Sequence, residues 1–265
     1  YKYDFNQKQW TQIADFGGGE RAGLVGFTLQ GYGYAGTGIN LSYNCYNDFW
    51  RYDPDTNTWT QVANFIGNPR FGAVAFVVNG HAYVGTGVQY IDGSYYYYKD
   101  FYRYDPYTNT WTQVADLPGE ERMWAASFVI GDYGYVGTGK TSQTYNTWDF
   151  YKYDPLSNTW LQIRGAGEIG RSLAVAFTLE NRGYLGGGLR FNPYTNYEYP
   201  HDFLSYDPNT NQWEVAFKTD YNIAGGVIWV VDKYNVCWGG GVHGDIWGYL
   251  GDLHLYLFKI TVVYQ

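Results

Sequence analysis

Four arginines recur at one position of a repeated pattern, and their chemistry makes them the best individual candidates for ligand binding. They are Arg21, Arg70, Arg122 and Arg171, and Asn222 holds that position in the fifth unit. Each arginine precedes an apolar segment that we expect to be the innermost strand of its unit. Guanidinium groups bind carboxylates through paired hydrogen bonds. The alternative is a local role, in which each arginine pairs with a backbone carbonyl or with Glu20, Glu120, Glu121 or Glu168.

An aspartate recurs before a later strand of each unit. These residues are Asp48, Asp100, Asp149, Asp202 and Asp252. A repeated carboxylate could bind calcium, but we favour a simpler role in which it accepts hydrogen bonds from loop amides. His201 and His243, helped by a neighbouring aspartate, form at best a weak metal site. The sequence also lacks a nucleophile elbow and a phosphate-binding loop, so it predicts no catalytic residue, metal or cofactor.

The composition predicts a β-rich chain. Among the 265 residues, 22% are aromatic, 16% are charged and 35 are glycine, which favours pleated surfaces and tight turns. The net charge of −8 argues against nucleic acid as a partner. No apolar run is long enough for a membrane span, and the two cysteines are too few for a disulfide framework. The chain opens inside a repeat, so we expect a processed or trimmed start.

Two sets of markers repeat along the chain in the same register. The motif Tyr-Asp-Pro-x-Thr/Ser-Asn-x-Trp, or a part of it, ends at Trp10, Trp59, Trp111, Trp160 and Trp213. Glycine triplets of the form Gly-x-Gly begin at Gly36, Gly85, Gly137, Gly186 and Gly239. Both sets have spacings of 49, 52, 49 and 53 residues, so chance does not explain them. A period near fifty residues is typical of propeller blades.

Each repeat is predicted to form four short strands. In the second unit, residues 72–78 form an apolar run that ends at Asn79-Gly80, a two-residue hairpin signal. Residues 81–86 return, residues 100–104 form a third strand, and residues 111–115 form a fourth after a turn. One such sheet cannot bury both of its faces, so neighbouring sheets must pack around a common axis.

These residues resemble the kelch repeat, which has glycines after the second strand, Tyr in the third and Trp in the fourth. Kelch propellers include bacterial proteins and the central domain of galactose-oxidase-like proteins. The resemblance implies an all-β propeller of four-stranded blades. Thr37, Thr86 and Thr138 stand inside Gly-Thr-Gly where the kelch pattern has paired glycines.

We expect one domain over residues 1–265, with five blades favoured. The units are approximately 15–63, 64–115, 116–164, 165–217 and 218–265, with residues 1–14 closing the ring. The alternative has six blades, with the first two strands of one blade lying upstream. It stays open because there are six candidates for a third strand.

The loops between second and third strands are long, variable and rich in Tyr, Asn, Ser and Gly, as paratopes are. Their candidate ligand-binding aromatics are Tyr46, Tyr96, Trp148, Tyr197 and Trp247. In kelch domains, residues at the position of the four arginines often contribute to the ligand surface. The alternative is that the aromatics fold back and shield the rim.

Two functions remain open. The favoured one is a non-enzymatic module, secreted or on a bacterial cell surface, that binds a glycan or a protein; membership of a larger surface assembly is compatible with it. The other is an enzyme of the sialic-acid mutarotase kind, with an arginine for the sugar carboxylate and a glutamate for proton transfer. Its candidate bases are Glu20, Glu121 and Glu168. Fold alone does not choose between them.

Overall fold

The chain is built from antiparallel β-sheets, as described by a computed structural model. The structure describes residues 1–4, 7, 9–143, 146–168, 170–192, 196–220, 223–232, 235–239 and 255–259. All the regular secondary structure within these ranges is β-strand, so the all-β class predicted from composition is confirmed.

The strands fall into an N-terminal hairpin, four four-stranded sheets that we call blades 1 to 4, and a fifth sheet. The hairpin comprises β1 (Lys2–Asp4) and β2 (Gln9–Thr11). Blade 1 comprises β3 (Val25–Leu29), β4 (Tyr32–Gly36), β5 (Phe49–Asp53) and β6 (Thr58–Val62). Blade 2 contains β7 (Val74–Val78), β8 (His81–Gly85), a side hairpin of β9 (Val88–Ile91) and β10 (Ser94–Tyr97), β11 (Phe101–Asp105) and β12 (Thr110–Val114).

The later sheets follow the same plan. Blade 3 contains β14 (Ala126–Ile130), β15 (Tyr133–Gly137), β17 (Phe150–Asp154) and β18 (Thr159–Ile163), with the short pair β13 (Arg122–Met123) and β16 (Lys140–Thr141) beside it. Blade 4 contains β19 (Val175–Leu179), β20 (Arg182–Gly186), a side hairpin of β21 (Arg190–Asn192) and β22 (Asn196–Glu198), β23 (Asp202–Asp207) and β24 (Gln212–Lys218). The fifth sheet comprises β25 (Val227–Asp232), β26 (Asn235–Gly239) and β27 (Leu255–Lys259).

Each blade is an antiparallel meander whose strands pair in chain order. In blade 2 the Asn79-Gly80 turn joins β7 to β8 with φ values of 50° and 74°, so that Val78 pairs with His81. Asn and Gly adopt this left-handed conformation at low cost. The hairpin predicted at this dipeptide is therefore confirmed.

The core lies between neighbouring blades and is dominated by aromatic rings. Phe101 of blade 2 is fully buried, and its ring centroid lies 5.1 Å from that of Trp160 in blade 3. Tyr83 and Tyr153 meet across the same interface at 5.3 Å. Aromatic pairs at such separations stabilise the fold beyond the area they bury. Each blade thus covers a face that it could not bury alone.

The repeated Tyr-Asp-Pro motif ties each blade to the one before it. In blade 2 the Asn109 amide oxygen accepts hydrogen bonds from the Ala63 N–H and the Tyr104 hydroxyl, each at 2.9 Å. The Trp111 indole N–H donates to the Ala63 carbonyl at 3.0 Å. The same three bonds recur around Asn57, Asn158 and Asn211. The motif repeats because it makes a structural contact between blades.

A chain of backbone hydrogen bonds, which we call the collar, follows the inner ends of the sheets. Each link joins an N–H to the carbonyl of the equivalent residue in the preceding unit, over 2.7 to 3.1 Å. The collar residues are Gly23, Gly72, Trp124, Leu173 and Gly225, all with positive φ. The first strands contact one another in the same order, from β3 through β7, β14 and β19 to β25. The first strand of each unit is therefore the innermost.

The two ends of this arc bear on the number of blades. A closed ring of five units would need a collar bond from the Gly23 N–H to the Gly225 carbonyl, and these two described residues do not form it. In the fifth sheet, β27 pairs with β26 and takes the third-strand position. The N–H of Ala14, which follows the N-terminal hairpin, donates to the Asn57 side-chain oxygen, as the N–H of Ala63 donates to Asn109 in blade 2. The blade count and closure of the ring by residues 1–14 stay predictions.

Candidate functional site

The four candidate arginines are buried and engaged in ion pairs. The side chain of Arg70 is 0% exposed, and its two terminal nitrogens donate to the two oxygens of Asp100 at 2.5 and 3.0 Å. Nη1 also donates to the Thr86 carbonyl at 3.0 Å, and Nε donates to the Asn68 carbonyl at 2.9 Å. This is the bidentate geometry in which arginine binds carboxylates most strongly.

The same arrangement recurs in the other three blades. The pairs are Arg21 with Asp48, Arg122 with Asp149, and Arg171 with Asp202. In each blade, the arginine also donates to the carbonyl of the central residue in the Gly-x-Gly triplet. The partner is therefore the recurring aspartate, and the expected glutamate pairing is wrong for these four arginines. The expected backbone contact is confirmed, since Arg122 Nε donates to the Glu120 carbonyl.

The carboxyl pKa values of Asp48, Asp149 and Asp202 lie below their usual range. Burial raises the pKa of the Asp149 carboxyl, but hydrogen bonds and charge from Arg122, with hydrogen bonds from Tyr151 and Thr147, hold that pKa below its usual value. The pKa values of Asp48 and Asp202 are lowered by the same balance of burial against their arginines. Each pair brings a charged arginine to a charged aspartate and cancels its field locally.

This geometry gives the arginines a bracing role between two loops of each blade. A ligand carboxylate would have to displace an aspartate to reach the same donors. Direct contact between these arginines and a ligand therefore stays a prediction. The backbone carbonyls of Arg70, Arg122 and Arg171 each accept a hydrogen bond from the last glycine N–H of the preceding unit's Gly-x-Gly triplet, and in the fifth unit that acceptor is the carbonyl of the buried Ile223. Asn222 lies outside the described residues.

The aromatic candidates are distributed over separate loops. Tyr46 is half-buried, because its ring covers the Arg21 guanidinium at 3.9 Å and its hydroxyl accepts a hydrogen bond from Asn40. Tyr96 and Trp148 are 52% and 51% exposed. Tyr197 is 41% exposed and meets the Phe191 ring at 5.7 Å. The last candidate, Trp247, lies outside the described residues.

Three other tyrosines form a continuous aromatic surface that crosses from blade 1 to blade 2. The Tyr90 ring lies 5.1 Å from Tyr43 and 5.0 Å from Tyr95, between centroids. Tyr43 and Tyr95 are 60% and 53% exposed, while Tyr90 is half-buried between them. We call this set, Tyr43, Tyr90 and Tyr95, the tyrosine shelf. It joins loops from two blades into one accessible surface.

The loops that carry the tyrosine shelf are held in place by hydrogen bonds. The side-chain oxygen of Asn40 accepts from the N–H groups of Ser42 and Asn44 at 3.0 and 2.9 Å. Tyr43 between them has a φ of 63°, an uncommon conformation for a residue other than glycine. The Tyr90 N–H donates to the Cys45 sulfur at 3.5 Å, which links the two loops. The tyrosine rings are thus presented by a pre-ordered backbone.

The sequence held a signal for two of the three shelf residues. Asp92-Gly93 is a two-residue hairpin dipeptide, and its φ values of 49° and 82° are those of the expected turn. That turn pairs Ile91 with Ser94 and therefore Tyr90 with Tyr95. Nothing in the local sequence places Tyr43 beside Tyr90, because their contact depends on how blades 1 and 2 pack.

Comparison with known proteins now places the chain in a family. The profile of the KLHDC2/KLHL20/DRC7 kelch-repeats domain matches residues 1–188. The chain belongs to this kelch-repeat family. The solved structure of YjhT is similar to this kelch chain with a TM-score of 0.80 and 20% identity, over 96% of this chain and 85% of that one. This likeness confirms the propeller fold, and no curated protein matches the sequence.

No metal site emerges from the part of this kelch chain that the structure describes. No group of three or more His, Cys, Asp or Glu side chains in it could hold a metal ion. His201 Nδ1–H donates to the Thr219 carbonyl at 2.8 Å, while His243 and Asp245 lie outside the described residues. Within the described ranges there is also no helix that could cross a membrane.

Proposed function

We propose that this kelch propeller is a non-enzymatic recognition module that binds a glycan or a protein through the loops between its second and third strands. One observation carries the proposal: the tyrosine shelf exposes aromatic rings on loops that are already ordered by hydrogen bonds. Tyrosine offers a large, amphipathic contact with few rotatable bonds, so little entropy is lost on binding. Pre-ordered loops lower the cost of association further.

The pairing of the four buried arginines supports binding over catalysis. Each of the four arginines is already paired with an aspartate, so none of these guanidinium groups is free to hold a sugar carboxylate. An enzyme of the sialic-acid mutarotase kind that used one of these four arginines would have to break such a pair. The similarity to YjhT is one of fold and does not alter this balance. We also propose that the module acts outside the cell or on its surface, as its Tyr-, Asn- and Gly-rich loops suggest.

The proposal is tested with two panels of probes. The first is an array of immobilised neutral, sialylated and sulfated oligosaccharides, and the second is a phage-displayed random peptide library. Each is screened with the wild-type protein, with the Tyr43→Ala/Tyr95→Ala double variant and with Tyr107→Ala. Tyr107 is 81% exposed and lies in the turn between β11 and β12, so it is a matched surface control.

The expected result is at least one reproducible ligand whose binding is lost in the double variant and kept in Tyr107→Ala. Binding that persists unchanged in the double variant would place the ligand elsewhere and refute the proposed surface. Conversion between anomers of N-acetylneuraminate, followed by proton NMR, should proceed at the uncatalysed rate with the wild-type protein present. Acceleration of that exchange would favour the enzymatic alternative instead.

A further inference from the structure

The chemistry of the tyrosine shelf also points to the class of its ligand. Residues 39–46 contain no charged side chain, and residues 88–97 contain only Asp92. A polyanion would need cations to compensate its charge, and a basic partner would need several carboxylates. The two loops supply neither. Their composition fits an uncharged ligand.

The polar groups around the rings are amides and hydroxyls. Ser42 and Asn44 are exposed on one side of the shelf, and Ser94 is exposed in the hairpin on the other. Such groups donate and accept hydrogen bonds without charge and suit sugar hydroxyls. The flat C–H face of a pyranose with equatorial hydroxyls can rest on a phenol ring, which has an apolar face and a polar tip. Aromatic faces with neutral polar groups beside them match both surfaces of such a sugar.

The shelf is long enough for more than one sugar ring. Its three rings follow one another at 5.1 and 5.0 Å, and they span loops of two blades. The planes of neighbouring rings are inclined at 42° and 56°, so an extended chain of several sugars can contact more of the shelf than a single monosaccharide can. Building on the proposed recognition function, we propose that the tyrosine shelf binds a neutral glycan chain of equatorially substituted pyranose rings.

A protein ligand is the competing class, and it becomes an outcome of the test. Leu41 and Ile91 are 95% and 41% exposed near the shelf, and exposed aliphatic groups suit a protein surface. A glycan that rests on the shelf tyrosines requires Tyr43 and Tyr95, whereas a protein that covers the whole hairpin would also contact Tyr96. Because Tyr95 and Tyr96 are 53% and 52% exposed but project from opposite faces of β10, they form a matched pair.

The experiment measures binding of neutral β-linked gluco- and xylo-oligosaccharides of increasing length by titration calorimetry. Wild-type protein is compared with Tyr43→Ala, Tyr95→Ala, Tyr96→Ala and the surface control Tyr107→Ala, after thermal melts have shown that the variants are folded. Affinity should rise with chain length and then level off once the chain spans the shelf. Each of Tyr43→Ala and Tyr95→Ala should weaken binding roughly tenfold and more than Tyr96→Ala does, with Tyr107→Ala within about twofold of wild type. Raising the salt from about 0.05 to 0.5 M should leave affinity unchanged, because no ion pair forms.

Three results would overturn the inference. The first is no binding of any neutral oligosaccharide while a peptide binds and is lost with Tyr43→Ala, which leaves the proposed recognition function standing. The second is equal weakening by Tyr95→Ala and Tyr96→Ala, which indicates a broad protein-like contact. The third is a preference for charged glycans that weakens with salt. Absence of any ligand, peptide or glycan, that depends on these loops would refute the proposed function as well.

Discussion

Removing the carboxylate of Asp149 should cost more stability than removing any exposed charge near it. The Arg122 side chain is 0% exposed, and its terminal nitrogens donate to the two Asp149 oxygens at 2.6 and 2.8 Å. Asp149→Ala leaves that buried guanidinium without its counter-charge. Breaking a buried pair from one side costs about 3–5 kcal/mol, and we expect the lower end because Asp149 is itself 23% exposed and water can enter.

Urea denaturation measures this cost directly. With an m value of about 3 kcal/mol per molar, near the upper end for urea, a loss of about 3 kcal/mol lowers the midpoint by about 1 M. The control is Glu121→Gln, since Glu121 is exposed and adjacent to Arg122 in sequence. It should change the free energy of unfolding by less than about 0.5 kcal/mol.

A double variant separates the buried charge from simple loss of packing. Arg122→Met/Asp149→Ala removes both charges, so it should recover much of the stability lost in Asp149→Ala. The reasoning is refuted if Asp149→Ala and Glu121→Gln shift the midpoint equally. It is also refuted if the free energy of unfolding of the double variant lies below that of Asp149→Ala by the full cost of a second, independent substitution.

Two further predictions concern the repeats. The pKa values of Asp48, Asp149 and Asp202 are lowered in the folded state, so their stabilising effect is fully present above the unfolded pKa of about 4 and is lost as pH falls through the folded values. Urea midpoints should therefore stay level from about pH 7 to 5 and fall steeply below about pH 4, and a midpoint equal at pH 5 and 3 would contradict this. Asn109→Ala removes the acceptor of one inter-blade hydrogen bond, from Ala63, and of one from Tyr104 in the same blade, and it places Ala at a φ of 53°, so it should cost about 2–3 kcal/mol by urea denaturation. Asn64→Ala, an exposed control, should cost less than about 0.5 kcal/mol, and equal losses would show that the inter-blade contact has no special weight.

The local structure could be predicted from sequence because its causes are local. The Asn79-Gly80 turn and the alternation of β7 follow from backbone preference and from burial of every second side chain. The repeated Tyr-Asp-Pro motif marks a turn for the same reason. Its second use, as a contact between blades, depends on Asn109 reaching Ala63, 46 residues away in the chain.

The candidate site was harder to predict because its contacts are not local. Arg70 pairs with Asp100, 30 residues away, whereas sequence proximity suggested glutamates near the other arginines. Only the meander brings the start of the third strand beside the loop that enters the blade. The tyrosine shelf likewise depends on packing between two blades. In the fifth unit the hydrogen-bonding pattern places Ile223, and not Asn222, at the position of the arginines.

Hydrogen–deuterium exchange with and without the glycan that binds best tests the recognition surface most directly. Bound ligand should slow exchange of the amides in residues 39–46 and 88–97 and leave the turns between third and fourth strands unchanged. Protection confined to those turns, or spread evenly over all blades, would show that the ligand does not bind at the tyrosine shelf.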